Sequence, residues 1–228
     1  MERVLVFSLH DRQRLHRLLV KHGFTVVTKK PDFILVYGGD GSVLMAERLY
    51  PSVPKLLVKR SGIFRKCDFT FKVLPSVLIR IKSGKFKIRR EIKLEVKLGN
   101  RKLLALNEIQ LHTRLPIRAV RFSLRVAGRK FENLIGDGLI VSTPFGASAY
   151  YHSVGGKQFK KGIGIAFNNL HNKKVRSFVV SGKSIARIKL DRDNALLAAD
   201  NDERVVDLKP SAVVTVKKSK QFANFIEL

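Results

Sequence analysis

Over the first quarter of the chain, short runs of consecutive apolar residues are separated by a helical spacing; beyond it, apolar and polar residues alternate in steps of two. Residues 3–8 are apolar almost throughout, as in a strand buried on both faces. Asp11 then reads as a helix N-cap, Leu15, Leu18 and Leu19 recur at helical spacing, and Gly23 ends the helix. Residues 24–28 form a second short strand, Lys29, Lys30 and Pro31 a connection, and residues 32–37 and 54–59 two further apolar strands. This order of elements predicts an α/β domain with an open, mainly parallel sheet.

The pattern changes around Cys67 and Asp68. Residues 68–73, 77–81, 86–98 and 102–112 read as strands in which apolar and charged residues alternate. Ile88, Ile92, Leu94, Val96 and Leu98 lie an even number apart and face one way, with Lys and Arg mostly on the other face. One packed face and one wet face point to antiparallel sheets. Gly99 and Asn100 suit a hairpin turn, and residues 117–126 and 128–131 a second hairpin. Residues 162–167, 177–180, 184–190, 195–199, 213–216 and 222–226 continue as strands. The expected division is an α/β domain over residues 1–75 and a β-rich domain over 76–228, with the last strands free to return to the first domain.

Three stretches carry candidate chemistry. The third strand runs into Gly38, Gly39, Asp40, Gly41 and Ser42, and a helix follows from Val43. A strand, a glycine turn and a helix N-terminus make a phosphate cradle at the carboxyl end of a sheet. Asp40 would repel phosphate unless it binds a metal ion or accepts a substrate proton; it also suits a plain turn or cap. Asn107 and Glu108 interrupt an alternating strand, either as a pair able to hold two ribose hydroxyls or as a solvated strand end. The longest stretch passes through Gly136, Asp137 and Gly138 into a strand over residues 139–142. It then turns at Thr143 and Pro144 into the small residues Gly146, Ala147, Ser148 and Ala149, followed by Tyr150, Ser153, Gly155 and Gly156. Small residues let a ligand approach backbone N–H groups, Tyr150 offers a stacking face, and Ser148 and Ser153 offer hydroxyls. The same residues would also serve a tight strand-to-helix corner. Asp200, Asn201, Asp202 and Glu203 form an acidic turn that either orients a cation or closes a hairpin, the hairpin being the commoner case.

Charge adds a second theme. Lys and Arg number 45 against 18 Asp and Glu, a net charge of +27 spread along the whole chain. Such a surface is either a plain solvated basic exterior or one that attracts nucleotides, polyphosphate, RNA or acidic membranes, yet no helix, finger or aromatic platform of a nucleic-acid module is recognisable. Nucleic acid is therefore expected only as a nonspecific partner. The single Cys67 excludes an intrachain disulfide, the six His show no metal-ligand spacing, and there is neither a secretory n-region nor an apolar run able to cross a bilayer. A cytoplasmic protein without membrane contact is the expectation.

In order and spacing, the turn at residues 38–41, the pair at 107 and 108, and the stretch from Gly136 to Gly156 resemble the NAD kinase family. The first motif is shared with diacylglycerol kinases and, more loosely, phosphofructokinases; the third is long and specific and decides for NAD kinase. The resemblance implies an active site between an α/β and a β-rich domain, in a homodimer or homotetramer. It implies transfer of the γ-phosphoryl of ATP, or of a polyphosphate phosphoryl, to the adenosine 2′-hydroxyl of NAD, with Mg²⁺ or another divalent ion. Asp40 is then the catalytic base, and Gly38, Gly39, Gly41 and Ser42 bind phosphate. Asn107 and Glu108 hold NAD; Ser148, Ala149 and Tyr150 line its pocket, with Ser153 nearby; and Asp137 contacts NAD, within one subunit or across a subunit interface. The metal ligands are not specified.

The chain departs from the family pattern at Phe145, Ala147 and Ser148, which replace Thr or Ser, Ser, and Thr, and at Asn168 and Asn169, which replace Thr and Pro. It departs again at residues 59–64, where an Asn and a Gly-Phe-Leu run are usual. A Phe145 ring could stack on a base or pack against another subunit. Two other functions remain: a lipid or other small-molecule kinase with the same glycine turn, against which the third motif argues, and a non-enzymatic polyanion binder, argued from charge alone.

Overall fold

The computed structural model describes all of the chain except residues 61–65, 67, 100 and 173. Cys67, the Asn100 half of the expected hairpin turn and most of the departure at residues 59–64 lie outside the described residues. The elements are β1 (Arg3–Phe7), α1 (Arg12–Lys21), β2 (Thr25–Val26), β3 (Phe33–Gly38), α2 (Asp40–Leu49), β4 (Lys55–Lys59), β5 (Phe69–Thr70), α3 (Leu74–Lys82) and β6 (Lys87–Leu98). They continue as β7 (Arg101–Ala105), β8 (Glu108–Thr113), β9 (Val120–Val126), β10 (Arg129–Gly136), β11 (Gly138–Ser142), a 3₁₀ turn (Phe145–Ser148), α4 (Tyr150–Ser153) and β12 (Ile163–Asn168). The last are β13 (Phe178–Val180), β14 (Ala186–Arg192), β15 (Ala195–Ala199), β16 (Val206–Leu208) and β17 (Val213–Glu227). They form two compact units, residues 1–91 with 222–228, and residues 92–221.

The first unit is an α/β layer. Its strands run parallel in the order β2, β1, β3, β4, and both β5 and the end of β17 pair with β4. Leu15 and Leu19 of α1 and Leu74, Val77, Leu78 and Ile81 of α3 pack on Phe33, Leu35, Tyr37, Leu56 and Val58. The alternate strand residues Ile34, Val36 and Leu57 are buried as well. Burial on both faces is why β3 and β4 read as unbroken apolar runs.

The second unit is antiparallel. β10, β9, β14 and β17 make one sheet, β13, β12, β11, β8, β15 and β16 another, and β6 pairs with β7. Phe122, Leu124, Ile188 and Val214 of the first share one core with Leu111, Leu139, Val141, Ile165 and Leu197 of the second.

Several expectations are corrected. Residues 77–81 are helix, within α3, not strand: Leu74, Val77, Leu78 and Ile81 follow helical spacing and Pro75 sits in the first turn. That apolar stripe belongs to the first unit's core, so the units divide at Glu91 and Ile92 rather than near residue 75. The strand expected over 102–112 is two, β7 and β8, broken at Leu106 and Asn107, whereas 213–216 and 222–226 belong to the single strand β17. Asp11 stands at the N-cap of α1 in a left-handed conformation and makes no side-chain cap hydrogen bond.

One buried ion pair stands out in the first unit. Lys55 is fully buried at the start of β4; its ammonium meets the Glu47 carboxylate of α2 and donates to the Tyr50 carbonyl at 2.6 Å. An unpaired charge in such a place is costly. Glu47→Ala is expected to lower stability by about 3–5 kcal/mol in chemical denaturation, and the double variant Glu47→Leu, Lys55→Met to recover most of the loss.

Candidate functional site

In the first unit the site residues gather where β3 meets α2. Gly38 ends the strand, Gly39 is the N-cap in an extended conformation, and Asp40 is the first helical residue. None of Gly38, Gly39 and Gly41 has a positive φ, so conformational freedom does not explain them. A Cβ on Gly38 would stand 2.5 Å from the Ser42 hydroxyl oxygen. The Ser42 and Val43 N–H groups both donate to the Gly39 carbonyl, at 3.0 and 3.3 Å. Of the cradle read from sequence, Ser42 therefore offers its hydroxyl rather than its N–H. The half-buried Asp40 carboxylate accepts the Lys66 N–H at 3.2 Å, and the positive end of α2 favours its charge. Among the described residues no group of three or more His, Cys, Asp or Glu could enclose a metal ion. A single carboxylate does fit Mg²⁺, which takes one or two protein carboxylates and fills its shell with phosphate oxygens and water.

In the second unit the break between β7 and β8 is held from two sides. The Asp200 carboxylate accepts the N–H groups of Leu106 at 2.7 Å, Asn107 at 2.7 Å and Glu108 at 3.1 Å. The Thr143 hydroxyl donates to the Leu106 carbonyl at 2.5 Å, and the Thr143 N–H to the Asn107 carbonyl at 2.9 Å. Gly146 donates to the Thr143 hydroxyl at 3.0 Å and lies so close that a Cβ would stand 2.2 Å from the Asn107 carbonyl oxygen. Asn107 and Glu108 are both 5% exposed. The Asn107 side-chain oxygen has no hydrogen-bond partner among the described residues.

Asp137 lies where β10 gives way to β11. Its N–H donates to the Asn168 carbonyl at 2.9 Å, its carbonyl accepts the Thr113 N–H at 2.8 Å, and its carboxylate accepts the Asn169 amide at 2.8 Å. Gly138 next to it has φ +147°, and a Cβ there would stand 1.9 Å from the Leu111 carbonyl oxygen. The Tyr150 hydroxyl accepts the Asn168 amide at 3.0 Å. Both asparagines that depart from the family pattern are thus partners of expected NAD residues.

Ser148, Ala149 and Tyr150 are half-buried, while Ser153 is exposed, its hydroxyl donating to the Ala149 carbonyl at 3.4 Å. The Ala147 and Ala149 N–H groups donate within the turn, to Pro144 and Gly146, rather than facing outward as the sequence suggested. Tyr151, not Tyr150, is the core residue, edge-on to Phe159. Phe145 is buried, 7% exposed.

Asp200 was legible only as part of an acidic turn. The turn does close the hairpin of β15 and β16. The carboxylate's partners, however, lie 92 to 94 residues away, beyond the reach of any local pattern. Burial pushes its carboxyl pKa from 3.8 up to about 6, the three N–H bonds and Lys93 offsetting part of that cost.

Comparison with known proteins agrees with this layout. The ATP-NAD kinase C-terminal domain model matches residues 106–228. An NAD kinase of Thermoplasma acidophilum is 26% identical over 215 residues, covering 92% of this chain and 79% of that one. An NAD kinase of Saccharophagus degradans is 31% identical over 216 residues, covering 88% of this chain and 72% of that one. Among solved structures, yeast NADH kinase complexed with NADH superposes with a TM-score of 0.87 at 17% identity, covering all of this chain and 84% of that one. An NAD kinase from Archaeoglobus fulgidus in complex with ATP gives 0.85 at 21% identity, over all of this chain and 94% of that one. These two likenesses establish the fold. The chain belongs to the NAD kinase family. It is accordingly a kinase, with an α/β unit and a β-rich unit.

The raised Asp200 pKa has a sign that can be checked. The folded carboxyl keeps its proton to higher pH than the unfolded one, so the native state binds more protons between the two pKa values. Stability contributed at Asp200 therefore falls as pH rises from 3.8 to about 6. Relative to Asp200→Asn, the wild type is expected to lose at most roughly 3 kcal/mol across that window. Denaturation of both proteins at several pH values measures it, and a constant difference would contradict the assignment.

Proposed function

We infer that the chain transfers the γ-phosphoryl of ATP, or a polyphosphate phosphoryl, to the adenosine 2′-hydroxyl of NAD, forming NADP. The observation that carries this reading is the buried Asn107 side-chain oxygen without a partner among the described residues, next to the buried Glu108, on a segment held by Asp200 and Thr143. Burying a polar atom that the fold leaves unpaired is costly. A ribose hydroxyl can donate to the Asn107 oxygen, and a second can donate to the neighbouring Glu108 carboxylate. Family membership, shown by the match over residues 106–228, supports the same substrate.

Each part then has a task. Asp40 accepts the proton of the attacking hydroxyl, which is a poor nucleophile while protonated. Gly38, Gly39, Gly41 and the Ser42 hydroxyl let donor phosphates approach the start of α2, so the α/β unit is the donor unit. Asn107 and Glu108 hold NAD in the β-rich unit, where Asp137, Ser148, Ala149 and Tyr150 line the pocket and Ser153 lies at its edge. Mg²⁺ or another divalent ion would enter with the donor phosphates beside Asp40 and would neutralise phosphate charge there. The working form is a homodimer or homotetramer in the cytoplasm.

An assay of NADP formation with ATP and with polyphosphate tests the reading, and absence of NADP with every donor would overturn it. Asp40→Asn is expected to cut turnover by about 10²-fold or more while NAD still binds. Near-normal turnover in the folded variant would remove Asp40 from the chemistry. Glu108→Ala is expected to weaken NAD binding by about 1.5–3 kcal/mol, the range for a hydrogen bond to a charged group, as read by calorimetry.

A further inference from the structure

In a regular strand successive N–H groups point to opposite sides. At residues 106–108 three successive N–H groups converge on one carboxylate, Leu106 on one Asp200 oxygen and Asn107 and Glu108 on the other. The backbone must leave the strand conformation to do this, and β7 does end at Ala105 and β8 begin at Glu108. The carbonyls of Leu106 and Asn107 are held from the other side by Thr143. Reciprocally, the Asp200 N–H donates to the Glu108 carbonyl at 3.0 Å, which locks the end of β15 to the start of β8. Without Asp200, three N–H groups would lose the carboxylate that accepts them, and the break would lose what holds this shape.

We propose that Asp200 is a positioning residue: through the backbone of residues 106–108 it sets the orientation of Asn107 and Glu108, and so the affinity of the nucleotide they hold. The proposal rests on the reading under Proposed function. It goes further in assigning a role to a residue that neither the glycine turn nor the long motif contains. A carboxylate is the side chain suited to the task, because it has acceptor sites on both oxygens and no donor to clash with the three N–H groups. An amide in its place has one oxygen and turns an NH₂ group toward at least one of those donors.

The experiment compares the full chain with Asp200→Asn in two readouts. The first is hydrogen exchange of the Leu106, Asn107 and Glu108 amides without ligand. The second is KM for NAD and kcat at saturating ATP. Exchange at the three amides is expected to accelerate by about 10-fold or more, KM to rise by about 10–100-fold, and kcat to stay within about 3-fold, as for a lost charge-assisted hydrogen bond that acts on binding. Unchanged exchange would overturn the proposal, as would faster exchange with an unchanged KM, or a fall in kcat alone. Should the variant not fold, Asp200→Glu keeps the charge with a longer reach and is judged by the same readouts; failure of both to fold would make Asp200 a structural residue and end the proposal. The wild type is the control for function: if it forms no NADP with any donor, the kinase reading fails, while the exchange data still report whether Asp200 holds the segment.

Discussion

The β-rich unit is arranged around a problem of backbone hydrogen bonding. A strand interrupted inside a buried sheet leaves N–H and C=O groups with no ladder partner, and such groups must be satisfied. At residues 106–108 the N–H side is met by Asp200 and the carbonyl side by Thr143. The second condition brings β11 and its following turn against the break, and Gly146 is required because Asn107 occupies the space of a Cβ. The first condition brings the β15–β16 hairpin to the same place. Two distant segments therefore meet at Asn107 and Glu108 because the interruption needs both, and the polar side chains carried there are fixed by backbone chemistry rather than by one another.

The first unit solves a simpler problem. Its strands are buried on both faces, its helices supply apolar stripes, and a marked departure from apolar packing is the Lys55–Glu47 pair. At its ligand end the constraint is steric: Gly38 must lack a side chain because Ser42 lies over it. Asp40 needs no special conformation; it occupies the first turn of α2, where a carboxylate is favoured by the helix dipole.

These differences explain what the sequence made legible. The parallel strands, the glycine turn and the alternating strands are local patterns, and residue types at short spacing reveal them. Helix α3 is hidden from a short window because residues 77–81 taken alone are short and apolar; only when Leu74 and Pro75 are included does the helical period show. Asn107 and Glu108 could be singled out because they break an alternation, but the alternation did not say why it was broken. That reason, Asp200, lies beyond any local window, and its turn signalled only a hairpin. The motif around Thr143 was visible as small residues suited to a ligand; in the structure much of its backbone serves the strand break and its own turn.

The departures from the family pattern acquire a physical sense in the same way. Asn168 and Asn169 replace residues that lack two amide donors, and each amide meets an oxygen of an expected site residue, the Tyr150 hydroxyl and the Asp137 carboxylate. A side-chain amide can hold a neighbour's oxygen and still keep an acceptor of its own. Each substitution thus brings a hydrogen-bond donor to Tyr150 or Asp137. Phe145 works in the opposite direction: where the pattern has a hydroxyl, a buried ring removes a polar group and fills volume. Its neighbour Thr143 retains a hydroxyl, and that hydroxyl is the one the strand break needs, donating to Leu106 and accepting from Gly146. The hydroxyl whose loss would leave buried backbone groups unsatisfied, that of Thr143, is present.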